Sequence, residues 1–489
     1  RNSDALDRTN SRIRTGLFLW FLGGNVKSAL VNATQNFTMG VPVLGAEVGA
    51  GKAYGKVLAS SYDAVADWKS KREAGQESKV LTRDEAAFLD DFQKHGESLA
   101  RKTMELTGLQ ERGWSESWAG KLAEWAGKPI EWAEKFNRLS LALAAYRAAK
   151  AGDVSNARTL GKYGEAKGTP WSEANARKFA REIVNEAHFV YGKANAPAPV
   201  RGFARGLAAG YTFRTYAQSL LSWYGRMLAG EKGSVGRIAA AQVVLHSTVL
   251  GGVAAIPFYG TMRTVLSSMF DGDPPEEVAG VDQLDILMYG LPSLAGMYIG
   301  GSMELDVPLV KDLKGNETVM EQLKEGLWLA VTGPLGGAGD KVGRAVYYAD
   351  TGQAGRVLEE LAPTALGNII KSYRLGTEGA RTRSGKPIPA EGDKSGKPAT
   401  LSLGEMALQA AGFQPMSRAK GWNAYQRTQE KKAYKSDYQS DLVTRYVTAS
   451  SAKERAKLEQ ERMAWNKEHP DRPIQPLWKL AKRRERPVK

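Results

Sequence analysis

The chain has 489 residues, 68 Lys and Arg against 53 Asp and Glu, and no cysteine. Without cysteine there are no disulfides, thiolate nucleophiles or thiolate metal sites, and the four histidines, His95, His188, His246 and His469, lack ligand spacing. The net charge of +15 runs along the whole chain and favours nucleic acid, anionic lipid or an ordinary solvated helical surface.

The first residue is Arg1, and no charged, apolar and small-residue segments follow in signal-peptide order, so the chain reads as part of something longer. Thr15 to Gly51 is apolar, aromatic at one end and interrupted by glycines, with Lys27 its single cation before Glu47. It reads as a helix-rich core piece or as a segment made for a bilayer or a partner helix. Leu17, Phe18, Leu19, Trp20 and Phe21 are the candidate membrane or subunit contacts there.

A capping box at Thr82 and Glu85 predicts a helix over Leu81 to Leu106, with Phe88, Leu89 and Phe92 on its buried face. Trp114 to Ala149 is predicted helical, with Pro129 in a first turn and Trp132, Phe136, Leu139, Leu143 and Tyr146 in one stripe. Trp114, Trp118, Trp125 and Trp132 share a second stripe, expected to be core. Asn195 to Val200 breaks the pattern with two prolines, and helix resumes over Tyr211 to Leu228.

Ile238 to Met262 is uncharged for 25 residues, long enough to span a bilayer, but Gln242, His246, Ser247, Thr248 and Pro257 weaken that reading. A buried or conditionally inserting helix is expected. Val244, Leu245, Val249 and Leu250 are its candidate membrane or subunit contacts. Asp271 to Glu277 is an acidic turn, and Ile286 to Met303 and Leu327 to Gly339 are apolar but glycine-punctuated. Residues 379–400 read as a flexible linker. The end of the chain is charged helix, closing on Lys479, Lys482, Arg483, Arg484 and Arg486, candidate contacts for DNA phosphates or anionic lipid.

The expected class is all-α, a multi-segment helical assembly with Gly/Pro-rich connections. Its predicted segments are 1–80, 81–194, 195–378, the linker 379–400, and 401–489. Chemistry is sparse. GAEVGAGKAYGK misses a phosphate-binding loop because positions 46 and 53 are both alanine, no GxSxG occurs, and none of Glu105, Glu124 or Glu182 is singled out as a glycosidase carboxyl. No catalytic, metal or cofactor residue is assigned.

The ordered strings FLGGNVKSALVNATQ (21–35), EKFNRLSLALAAYRAA (134–149), VYGKANAPAPVRG (190–202), LGGVAAIPF (250–258), GLPSLAGMYIGGSM (290–303), LGTEGARTRSGKPI (375–388) and AAGFQP (410–415) resemble, in series, the C-terminal region of large polyvalent proteins of tailed phages. These are the internal virion, or DNA-ejection, proteins of the PLxRFG type, although no PLxRFG string occurs here. The resemblance implies a non-enzymatic protein carried inside the virion and ejected with the genome into the host envelope. It would self-associate and assemble with partner ejection proteins into a DNA-translocating conduit, with viral DNA and the host membrane as further partners. The alternatives are a peptidoglycan-cleaving segment of the same virion protein or a non-specific DNA-binding module.

Overall fold

A computed structural model describes residues 5–70, 76–96, 118–189, 215–252, 289–299, 334–393, 395–470 and 473–484. The protein is all-α. The described residues form seventeen α-helices and two strands of two residues each. They fall into two compact units, residues 1–377 with 401–416, and residues 378–400 with 417–489.

In the larger unit, α1 (Ala5–Phe21) leads to α2 (Val26–Ala33), a π-helical turn (Asn36–Gly40) and α3 (Val41–Val48). Asn25 caps α2 by accepting from the Ser28 amide. Every residue of α3 except Gly45 is buried, as its nearly continuous apolar sequence requires. Then come α4 (Ala50–Lys69), α5 (Arg83–Lys94) and the 33-residue α6 (Trp118–Lys150).

The predicted capping box of α5 is present, with Phe88, Leu89 and Phe92 buried. α6 is the central helix. Helix α4, α2 and α8 (Glu173–Ala187) all pack on it. Its buried alanines, Ala142, Ala144, Ala145, Ala148 and Ala149, let neighbouring backbones approach closely. Arg147 ties three helices together through Glu85 at 2.6 Å and Asp63 at 2.7 Å. Between α6 and α8, α7 (Ala157–Tyr163) packs Tyr163 against the fully buried Trp171.

Next follow α9 (Thr215–Leu228) and α10 (Ser234–Gly251). One core runs from Met39 to Val243, crossing the boundaries expected at residues 80 and 194. A short 3₁₀ turn (Leu291–Ala295) precedes β1 (Met297–Tyr298), which pairs antiparallel with β2 (Gln414–Pro415). Helices α11 (Pro334–Asp350), α12 (Ala354–Leu361), α13 (Thr364–Thr377) and α14 (Leu403–Ala410) complete the unit. Residues 401–416 therefore belong with this unit, not with the charged C-terminal segment. The Ser372 hydroxyl fixes α14 to α13 by donating to the Met406 carbonyl at 2.6 Å.

The smaller unit holds α15 (Met416–Thr448), α16 (Ala452–Glu468) and α17 (Leu477–Arg484) around Leu442, Leu458, Trp465, Ile474 and Leu477. The described residues of the segment expected to be a flexible linker are tied to one another by backbone hydrogen bonds. The Ala380 amide donates to the Ala399 carbonyl at 2.7 Å, Ile388 to Ala380 at 2.9 Å, and Ala399 to Ile388 at 2.9 Å, with Ile388 buried. Its Gly and Pro residues make defined turns in place of a loose tether.

Two helix expectations also change. Pro129 lies inside α6, not in a first turn. And α10 ends at Gly251, capped by Gly252 with φ at +73°. Residues 253–262 of the predicted apolar run, the proline break at 195–200 and the acidic turn at 271–277 lie outside the described residues.

Candidate assembly surface

Helix α10 shows how the core fixes an exposed apolar face. Ala239, Ala240, Val243 and His246 are buried, facing α3 and the π-helical turn. His246 sets the helix's rotation. Its Nδ1 lies 2.6 Å from the Phe37 carbonyl, its Nε2 meets the Tyr54 hydroxyl, and the two rings meet edge to face at 5.3 Å. Burial lowers the His246 pKa, opposed by the Phe37 carbonyl, so the neutral ring donates from Nδ1 and accepts from Tyr54.

With that face held, Val235, Ile238, Leu245 and Val249 stand exposed in a row, Leu245 at 58%. Their spacing of three, seven and four is that of a helix-packing seam, with Gln242 in the gap. Among the predicted contacts, Leu245 and Val249 are exposed, while Val244 and Leu250 are half-buried.

The opposite holds for Leu17 and Phe18. Both are buried, Phe18 completely and against Ile130 of α6, so they are internal anchors and not a contact surface. Leu19, Trp20 and Phe21 are half-buried. The Trp20 indole donates to the Ala362 carbonyl at 2.9 Å, and the Lys341 ammonium stands over the Trp20 and Phe21 rings. α1 uses its aromatic end inside the protein.

Tryptophans expected in the core are outside it. Trp118, Trp125 and Trp132 are 79%, 68% and 46% exposed, because Ala123, Ala126, Ile130 and Ala133 occupy the buried face of α6. Trp114 lies outside the described residues. The sequence carries a signal for this row that the apolar spacing alone conceals. WAGKLAE (118–124) and WAGKPIE (125–131) are successive heptads, each placing one Trp on the same face with a Lys three residues on.

The polar residues of the two NVKSALVNATQ and FNRLSLALAAYR strings meet in the core. The Asn137 amide donates to the Asn32 carbonyl at 2.6 Å, and the Gln35 amide to the Ala187 carbonyl at 3.3 Å. Buried Arg138 and Glu134 pair at 3.5 Å beside the wholly buried His188. Burial drives the His188 pKa well down, and the Arg138 charge adds to it. A second, largely buried cluster carries no signal in the sequence. Lys232 Nζ lies 2.9 Å from Glu47 and 2.6 Å from Glu186, which also accepts from the Trp223 indole at 3.0 Å. Burial disfavours the ammonium, but the two carboxylates outweigh it and its pKa stands above the usual value.

Among the described residues no three His, Asp or Glu side chains are placed to hold a metal ion, and no helix is long and apolar enough to cross a membrane. Lys479 and Lys482 are exposed on α17, which also contains the Arg483 and Arg484 backbone, while Arg486 lies outside the described residues. No family model, curated protein or solved structure matches the chain.

Proposed function

We propose that the chain is a structural part of a tailed-phage internal virion protein, ejected with the genome, that self-associates to help form a DNA-translocating conduit across the host envelope. The resemblance of its ordered motifs supplies the class, and the exposed row on α10 supports the assembly role. A helix with one face already committed to α3 offers a strip as wide as a partner helix, not an apolar surface all round. The strip Val235, Ile238, Leu245 and Val249 has no charged residue within it. Burial of such a row against another helix removes apolar area at roughly 25 cal/mol per Å². The row is therefore a subunit contact in this reading, with a second copy covering it.

Sedimentation of the whole chain tests this, beside Leu245→Asp and Val249→Asp. The expected result is an oligomer that both substitutions reduce to monomer with unchanged helical content. An unchanged oligomer, or a wild-type chain that is monomeric at all concentrations, would overturn the assignment.

A further inference from the structure

The net charge is not spread evenly once the chain is divided by its fold. The larger unit carries 44 Lys and Arg against 41 Asp and Glu, nearly neutral; the smaller carries 24 against 12. Most of the +15 thus sits on about a fifth of the chain, correcting the even distribution expected from sequence.

Four of the smaller unit's carboxylates are engaged within it. Asp441 and Glu461 hold Arg445 at 3.1 and 3.0 Å, Glu459 holds Arg462 at 2.5 Å and accepts from the Leu477 amide, and Glu454 accepts from the Ser450 amide and hydroxyl. Its lysines are left outward. Lys386, Lys397, Lys453, Lys457, Lys479 and Lys482 are all exposed; Lys397 stands near the exposed Asp393 carboxylate, and the other five form no salt bridge with a carboxylate among the described residues.

Two of them come from the segment 378–400. Ser-Gly-Lys-Pro occurs at 384–387 and again at 395–398, each glycine at positive φ, +86° at Gly385 and +71° at Gly396. The first turn is closed by the Lys386 amide donating to the Thr382 hydroxyl at 3.0 Å, the second by the Lys397 amide donating to the Ser395 hydroxyl at 3.2 Å. Each turn carries a lysine outward from a fixed backbone.

We infer that the smaller unit is a sequence-independent binding module for the phosphate backbone of duplex DNA, with the twin Ser-Gly-Lys-Pro turns and the exposed lysines of α16 and α17 as its contacts. Lysines distributed over several elements suit an extended polyanion, because each neutralises one phosphate as a point charge and releases its counterion. A compact anion would need converging donors. A membrane surface would need a continuous apolar band, whereas Trp422, Tyr434, Val447, Met463 and Trp478 are exposed on three different helices. The inference deepens the conduit reading by naming what meets the genome, and rests on it only for the choice of DNA.

The test is duplex-DNA binding by the whole chain as a function of salt, with oligomeric state recorded on the same samples. The pairs Lys386→Ala with Lys397→Ala, Lys453→Ala with Lys457→Ala, and Lys479→Ala with Lys482→Ala should each flatten the log–log salt slope by roughly 2. Affinity should fall roughly eightfold per lysine at about 0.1 M salt. Lys121→Ala with Lys128→Ala, in the other unit, should leave the slope unchanged. Absence of wild-type binding at low salt, unchanged slopes in all three pairs, or tighter capture by anionic vesicles than by DNA would each overturn it. Lost binding by an intact oligomer would leave the assembly reading standing.

Discussion

The side-chain amide of Asn137 donates to the backbone carbonyl of Asn32 across 2.6 Å, from 105 positions further along the chain. It joins α6 to the end of α2; Asn137 has no exposed surface, and Asn32 is half-buried. Asn137→Ala removes the donor and opens a small void. The expected cost is about 1–3 kcal/mol, read as a lower urea midpoint with an unchanged slope. A loss below about 0.5 kcal/mol would mean that the seam is dispensable.

Lys232 neutralises two carboxylates at once, and Glu47 among them is almost fully buried. Lys232→Met leaves both without a counter-charge, so stability should fall by about 3–5 kcal/mol. Adding Glu47→Gln to that variant should recover part of the loss, since a neutral amide is easier to bury than an unpaired carboxylate. Two additive losses would contradict the cluster.

Acid should weaken the fold through His188. Its folded pKa is well below the ordinary 6.5, so the unfolded chain binds the proton first. The stability it contributes is present above pH 6.5 and is lost as pH falls below that value. From this one residue, unfolding free energy should drop by about 1.4 kcal/mol between pH 7.5 and 5.5. His246, also lowered by burial, acts in the same direction. Denaturation of His188→Gln across this range should show a shallower dependence than the parent. An identical slope would place the proton uptake elsewhere.

Phe18 and Leu245 carry similar apolar side chains in similar apolar runs, yet one is enclosed and the other stands in solvent. Phe18→Ala should cost about 3–5 kcal/mol by emptying a packed site. Leu245→Ala should change monomer stability by no more than about 0.5 kcal/mol. Thermal melts of the two variants at low protein concentration, where association is suppressed, decide it.

The contrast also marks what sequence could and could not show. Helix class was legible wherever a cap and a 3-4 pattern coincided, as at Thr82, Glu85, Phe88, Leu89 and Phe92. Which face of an apolar helix is covered was not, because that depends on neighbours distant in sequence. Ala123, Ala126 and Ala133 take the buried side of α6 since small residues let other helices approach, and the larger tryptophans are displaced outward. The two-unit division was hidden for a similar reason. Residues 401–416 return to the first unit through contacts with α13, and residues 378–400 fold with the second through backbone bonds that polar, Gly-rich sequence does not announce.

The Gly24 amide docks on α6 within one turn of Pro129. Proline has no N–H to offer the Trp125 carbonyl, so the helix ladder is open there. One residue further on, the Ala126 carbonyl accepts from the Gly24 amide at 3.0 Å. Gly24 holds φ at +69°, and a Cβ on neighbouring Gly23 would stand 2.9 Å from the Leu19 carbonyl, so the FLGG turn that docks on Ala126 depends on both glycines. Gly24→Ala should cost about 1–2 kcal/mol for the left-handed backbone. Pro129→Ala closes the ladder and removes a penalty of about 3 kcal/mol, but it also competes for the turn that seats Gly24. The two effects should therefore fail to add by more than about 0.5 kcal/mol in a double-mutant cycle. Strict additivity would show that the opening at Pro129 and the docking of Gly24 are unrelated.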